Sequence, residues 1–159
     1  MTDYIDKAEI ISSVCEQLLR GNTQEAKNLA QTNYPFQANS YINGKKFRRT
    51  NPKSIERGTA KRVPPSQKTS LRIWLRDGFR CRYTGVRLIF PQSLELLSVL
   101  LPNEFPYDNP PHGAYIKTHI AMWELWPAID HVNPVALSSD SKSVNNIDNL
   151  VTTSAQKKC

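Results

Sequence analysis

A mixed α+β fold is what the sequence predicts, and three observations predict it. Apolar residues recur at helical spacing near the N-terminus, the segment LRIWLRDGF is amphipathic, and two short runs near the C-terminal end, AIDHVNPVA and NIDNLVTT, read as strands. With 159 residues the chain has room for one core of ordinary size and a small appended unit. Hydrophobic residues make up 39% and charged residues 22%, which excludes a wholly disordered chain but leaves room for a solvated stretch.

In chain order, Ile5, Ile10, Ile11, Val14, Leu18 and Leu19 mark a first amphipathic helix, and Gly21 stops it. Thr23 can cap a second helix through Ala30, with Ala26, Leu29 and Ala30 on one side. Residues 1–38 therefore read as a helical hairpin that packs on the main domain or on a second copy, so a homodimer through these helices is one expectation. Residues 39–69 turn to Lys, Arg, Ser, Asn, Pro and Gly, a basic linker or arm with no apolar periodicity.

The remainder, 70–159, reads as the main domain. Its first helix would bury Leu71, Trp74 and Leu75 and present Arg72, Arg76 and Arg80 on the other side. VRLIF reads as a strand, LELLSVLL as a helix ended by Pro102, and residues 116–125 as a further helix closed by Trp126-Pro127. The strand AIDHVNPVA, the loop SSDSKSVN and the strand NIDNLVTT complete the chain, with Asn145 and Asn146 suited to a turn.

Charge is unevenly placed. The net charge is +7, yet residues 45–82 hold thirteen Lys and Arg against Glu56 and Asp77, a local balance of +11 that leaves −4 for the rest. Such asymmetry is the footprint of a polyanionic partner, since each neutralised phosphate releases condensed counterions; a merely solubilising stretch is the alternative. Lys45, Lys46, Arg48, Arg49, Arg72, Arg76, Arg80 and Arg82 are the candidate phosphate contacts. No run approaches the roughly 18 to 20 apolar residues of a membrane helix, and MTDYIDKAEI lacks the basic start and apolar centre of a signal peptide. Cys15, Cys81 and Cys159 are odd in number and widely spaced, unlike a disulfide framework or a C-x-x-C pair. A cytoplasmic protein with free thiols is expected.

The chemistry concentrates at Asp130-His131. An imidazole titrates near neutrality and can take a proton, and a neighbouring carboxylate can hold a metal or orient the ring; a purely structural pair is the alternative. Adjacent strand residues point to opposite faces, so only a kink or the strand's end would let both enter one site.

The segments RDGFRCRYTG, AIDHVNPVA and NIDNLVTTS resemble the HNH endonucleases over about residues 71–158. The resemblance implies a ββα-metal (His-Me finger) core at about 128–159 and hydrolysis of phosphodiester bonds in DNA, double-stranded above all. His131 would be the general base, Asp130 a ligand for a divalent cation such as Mg²⁺ or Mn²⁺, and Asn149 the middle Asn that orients the base or braces the loop. Cys81 and Thr84 stand where zinc-bearing relatives keep one pair, and Ser154 and Lys157 stand near the second, so no structural zinc is expected. Lys158 occupies the family's last motif position, and lysine is a poor Mg²⁺ ligand. A shortened form, a shifted register and a degenerate site are all compatible with that lysine. The rival reading is therefore a catalytically degenerate or truncated HNH-fold protein that binds DNA without cutting it. His119 is a further candidate to line the site, with a packed helical histidine as its alternative, and His112 reads as exposed loop.

Overall fold

A computed structural model of the protein describes residues 6–36, 58–107 and 118–155. Helix α1, Lys7–Leu19, begins where the Asp6 carboxylate accepts the Ala8 N–H, and Gly21 takes the left-handed φ of 78° that turns the chain into α2, Thr23–Asn33. Ile11 and Val14 of α1 meet Ala26 and Ala30 of α2, where small side chains allow close approach. The same core takes in Leu94 and Leu97 of α4, Pro91–Leu100, then Leu101 and Phe105, then Ala121 and Met122 of the single-turn α5, Ala121–Glu124, and Leu125. The N-terminal hairpin thus packs on the rest of its own chain and uses its apolar stripe there.

Helix α3, Gln67–Arg76, is capped by Ser66, whose hydroxyl accepts the Thr69 N–H. Its phase differs from the expectation. Ile73 is fully buried against Ile129 and Leu150, whereas Leu71 and Leu75 are exposed, Leu75 by 63%. Polar anchoring at the C-terminal end of α3 accompanies this rotation. Asp77, just beyond α3, accepts the Thr152 N–H at 2.7 Å, and Arg76 donates to the carbonyls of Ile147 and Leu150. The expected strand VRLIF is reduced to an isolated bridge between Arg80 and Arg87: Leu88 N–H still donates across the turn to the Phe79 carbonyl, and the pairing ends there because the Ile89 N–H donates to Leu125. Within the described part of 116–125 only α5 is helical; His119 Nδ1 takes the Ala121 N–H and closes its start.

Strands β1, Pro127–His131, and β2, Leu150–Ser154, pair antiparallel, with Pro127 opposite Ser154 and His131 opposite Leu150. Between them lie a 3₁₀ turn, Val135–Leu137, the one-turn α6, Ser141–Val144, and a second 3₁₀ turn, Ile147–Asn149. The outer edge of β2 is closed by Asp77 and by the Arg82 N–H, which donates to the Thr152 carbonyl at 2.9 Å. The molecule is thus a mixed α+β fold with a small hairpin. No helix among the described residues is long and apolar enough to cross a membrane.

Candidate functional site

His131 is the last residue of β1, at the root of the loop that joins the two strands. Burial alternates along β1 through to His131 itself, so His131 shares the face of Ile129, which packs against α3, and Asp130 takes the opposite face. The pairing register runs unbroken to His131, opposite Leu150, so the alternation holds to the strand's end. His131 is only 8% exposed, and its Nε2 is buried without a hydrogen-bond partner among the described residues. Asp130 is half-buried: one carboxylate oxygen accepts the His131 N–H at 2.9 Å and the other accepts the Tyr83 hydroxyl at 3.2 Å.

Asn149 braces the loop. Its Oδ1 accepts the Asn133 N–H at 2.8 Å, and its Nδ2 donates to the carbonyls of Val144 and Asn133. With the amide used on backbone groups, Asn149 holds the loop closed around its own residues rather than projecting towards a ligand. An open cleft of about 460 Å³ lies inside the loop, with Asn133, Ser139, Asp140 and Ser143 on its polar side and Leu137 and Val144 on its apolar side. Asn145, read from sequence as a turn former, turns out to reach outside the loop: Oδ1 accepts the Val63 N–H and Nδ2 donates to the carbonyls of Lys61 and Ser141. Sequence reasoning missed this role, since nothing in local spacing marks a contact between residues more than eighty apart.

The candidate phosphate contacts divide. Arg72 and Arg82 are exposed, and Arg80 is exposed while donating to the Gly85 carbonyl. Arg76 is committed to the fold, its guanidinium shared between Asp77, Ile147 and Leu150, an arrangement that raises its pKa, the hydrogen bond to Asp77 foremost. Asp77 is opposed by burial, yet the Arg76 bond and the Thr152 N–H hold its carboxyl below the usual carboxylate range. Lys45, Lys46, Arg48, Arg49, Lys158 and His112 lie outside the described residues.

His119 is placed in the helical core, not at the hairpin. Its ring is fully buried among Tyr34, Phe36 and Phe105, its Nδ1 accepts from Ala121, and its Nε2 is within 3.1 Å of the Tyr34 carbonyl. Since Nδ1 is the acceptor, the proton is on Nε2 and the ring is neutral; burial holds its pKa down at about 4. Trp74 packs in the hairpin core, Trp123 and Trp126 against the helical one. Cys81 is buried under the turn that precedes Arg87, 3.6 Å from the Thr153 hydroxyl. Burial would push its thiol up, but hydrogen bonds from Thr84, the Ser154 backbone, Thr153 and the Tyr83 backbone bring it down to about 7.

Among the described residues, no group of three or more His, Cys, Asp and Glu side chains is placed to hold a metal ion. No family model matches the chain, and no curated protein or solved structure matches it either.

Proposed function

We propose that the protein is a metal-dependent nuclease of the HNH type that hydrolyses phosphodiester bonds in double-stranded DNA. The observation that supports this best is the hairpin root: an antiparallel pair whose connecting loop is cinched by the Asn149 side chain, with His131 beneath it presenting an unpaired Nε2. An imidazole nitrogen without a partner would take a proton from an attacking water, as a general base must, once substrate binding opens the loop and lets water reach the buried Nε2. Asp130 has the chemistry to hold Mg²⁺, a hard ion often bound by one or two carboxylates together with substrate phosphate oxygens. When bound, that ion would supply charge stabilisation at the phosphate. The exposed Arg72, Arg80 and Arg82 supply phosphate contacts without base reading.

A second reading is favoured by the opposite-face placement of Asp130 and His131 and by the lack, among the described residues, of a group of three or more side chains able to hold a metal ion. It is a DNA-binding protein that keeps the hairpin and does not cut. Plasmid nicking with Mg²⁺ or Mn²⁺ separates the two. The nuclease reading expects nicking that His131→Ala abolishes with duplex binding intact. Binding without nicking by the unaltered protein, together with nicking acquired by Lys158→Asn, would establish the second reading instead.

A further inference from the structure

Residues 58–63 leave the basic stretch and run along the hairpin loop. Gly58 N–H donates to the Ala136 carbonyl at 2.8 Å, Ala60 N–H to Ser138 at 2.9 Å, and Lys61 N–H to the Ser141 hydroxyl at 2.8 Å. Val63 N–H donates to Asn145 Oδ1 at 2.9 Å, and Asn145 Nδ2 returns a bond to the Lys61 carbonyl at 2.8 Å. At Gly58 the two backbones meet so closely that any Cβ would collide with the Ser138 backbone, so glycine is required there for reasons of space. Lys61 and Arg62 remain exposed on this strap, and Lys68 and Arg72 of α3 continue the same charge along the chain.

We propose that Gly58 and Asn145 are positioning residues that strap the basic segment to the His131 loop, so that a DNA backbone bound at Lys61 and Arg62 is held against that loop and tightens it. The inference rests on the DNA-binding part of the functional reading above. Its physical content is a linkage: if the duplex binds better when the strap is closed, duplex binding must in turn stabilise the strap. Lys61 and Arg62 provide affinity through counterion release, and the five strap bonds transmit position to a loop that Asn149 ties to the end of β1.

The test is amide hydrogen exchange on the full chain, in EDTA, with and without a DNA duplex of arbitrary sequence. In the unaltered protein the amides of 58–63 should be protected, and the duplex should add protection across 136–145. Gly58→Val and Asn145→Ala should each raise strap exchange by roughly tenfold or more and abolish the added loop protection. Asn145→Asp keeps the acceptor for Val63 and should restore part of it, which general destabilisation would not do. Lys61→Ala with Arg62→Ala should keep the strap protected while lowering the salt slope of binding by about two. Equal loop protection by the duplex in Gly58→Val and the unaltered protein, or equal strap exchange in both, overturns the inference alone. A protein that binds no duplex overturns the functional reading and the inference together.

Discussion

Two histidines, one in each half of the molecule, show how differently the halves are built. In the helical half, twelve buried hydrophobic residues among those described share one core, and His119 lies inside it with both ring nitrogens engaged. In the hairpin half only Ile73, Ile129 and Leu150 among the described residues form such a cluster, and His131 lies beside them with no partner for Nε2 among those residues. Three side chains cannot hold a two-stranded sheet that would be marginal by itself. The hairpin is held by side chains bonded to backbone: Arg76 and Asp77 from below, Asn149 within the loop and Asn145 across it. Apolar burial makes one half stable, and polar bracing makes the other specific in shape while leaving an unsatisfied group in it.

The largest effect should come from breaking the helical half. Phe105 is fully buried and packs on the His119 ring, with centroids 4.8 Å apart. Phe105→Ala is expected to cost about 3 to 5 kcal/mol in urea denaturation, because the rigid surroundings cannot close over the cavity. A cost below about 1 kcal/mol would mean that this core is loosely packed and that the contrast between the halves is mistaken.

Acid sharpens the same contrast through His119. Its folded-state pKa of about 4 lies below the ordinary 6.5, so between those values the unfolded chain takes up a proton that the folded chain refuses. Stability from this group is complete above pH 6.5 and falls as pH drops towards 4, by roughly 3 kcal/mol across the window. Denaturation of the unaltered protein and His119→Gln at several pH values isolates the term: the gap between them should shrink with acid. A gap independent of pH would show that the ring is not held neutral.

How much of this was legible beforehand depends on the type of force involved. The helices α1, α2 and α4 announce themselves through Ile11 and Val14, Ala26 and Ala30, Leu94 and Leu97, because burial leaves a spacing of three and four in the sequence. The two strands were legible in kind but not in extent: β1 ends at His131 rather than running on through Asn133 and Pro134, and Asn149 lies in a 3₁₀ turn just before β2 rather than within the strand. The rotation of α3 was not, since the sequence offers Leu71, Trp74 and Leu75 as a broader apolar side than Ile73, and the bonds of Arg76 and Asp77 that accompany the rotation reach some seventy residues away. Asn145 and Gly58 escaped for the same reason: a side-chain amide on a distant backbone, or a glycine needed for close approach, has no periodicity. At the site itself, the sequence set the condition that Asp130 and His131 diverge unless the strand kinks or ends; His131 is the last residue of β1, and burial still alternates through it.

The smallest effect tests the hairpin half and has the opposite sign from ordinary core damage. An unpaired buried nitrogen costs about 1 to 3 kcal/mol, and a leucine at 131 would face Leu150 beside Ile129 with no polar atom to satisfy. His131→Leu is therefore expected to be neutral or to stabilise by about 1 kcal/mol, read from the urea midpoint at pH 7, while ending any metal-dependent nicking. His119→Leu should behave oppositely and destabilise by about 2 kcal/mol, because it strands the Tyr34 carbonyl and the Ala121 N–H. A gain in stability on losing the imidazole would support the chemical role proposed for His131. Should His131→Leu destabilise as much as His119→Leu, Nε2 is bonded in the folded protein after all, and the imidazole is a structural element like its counterpart in the helical core.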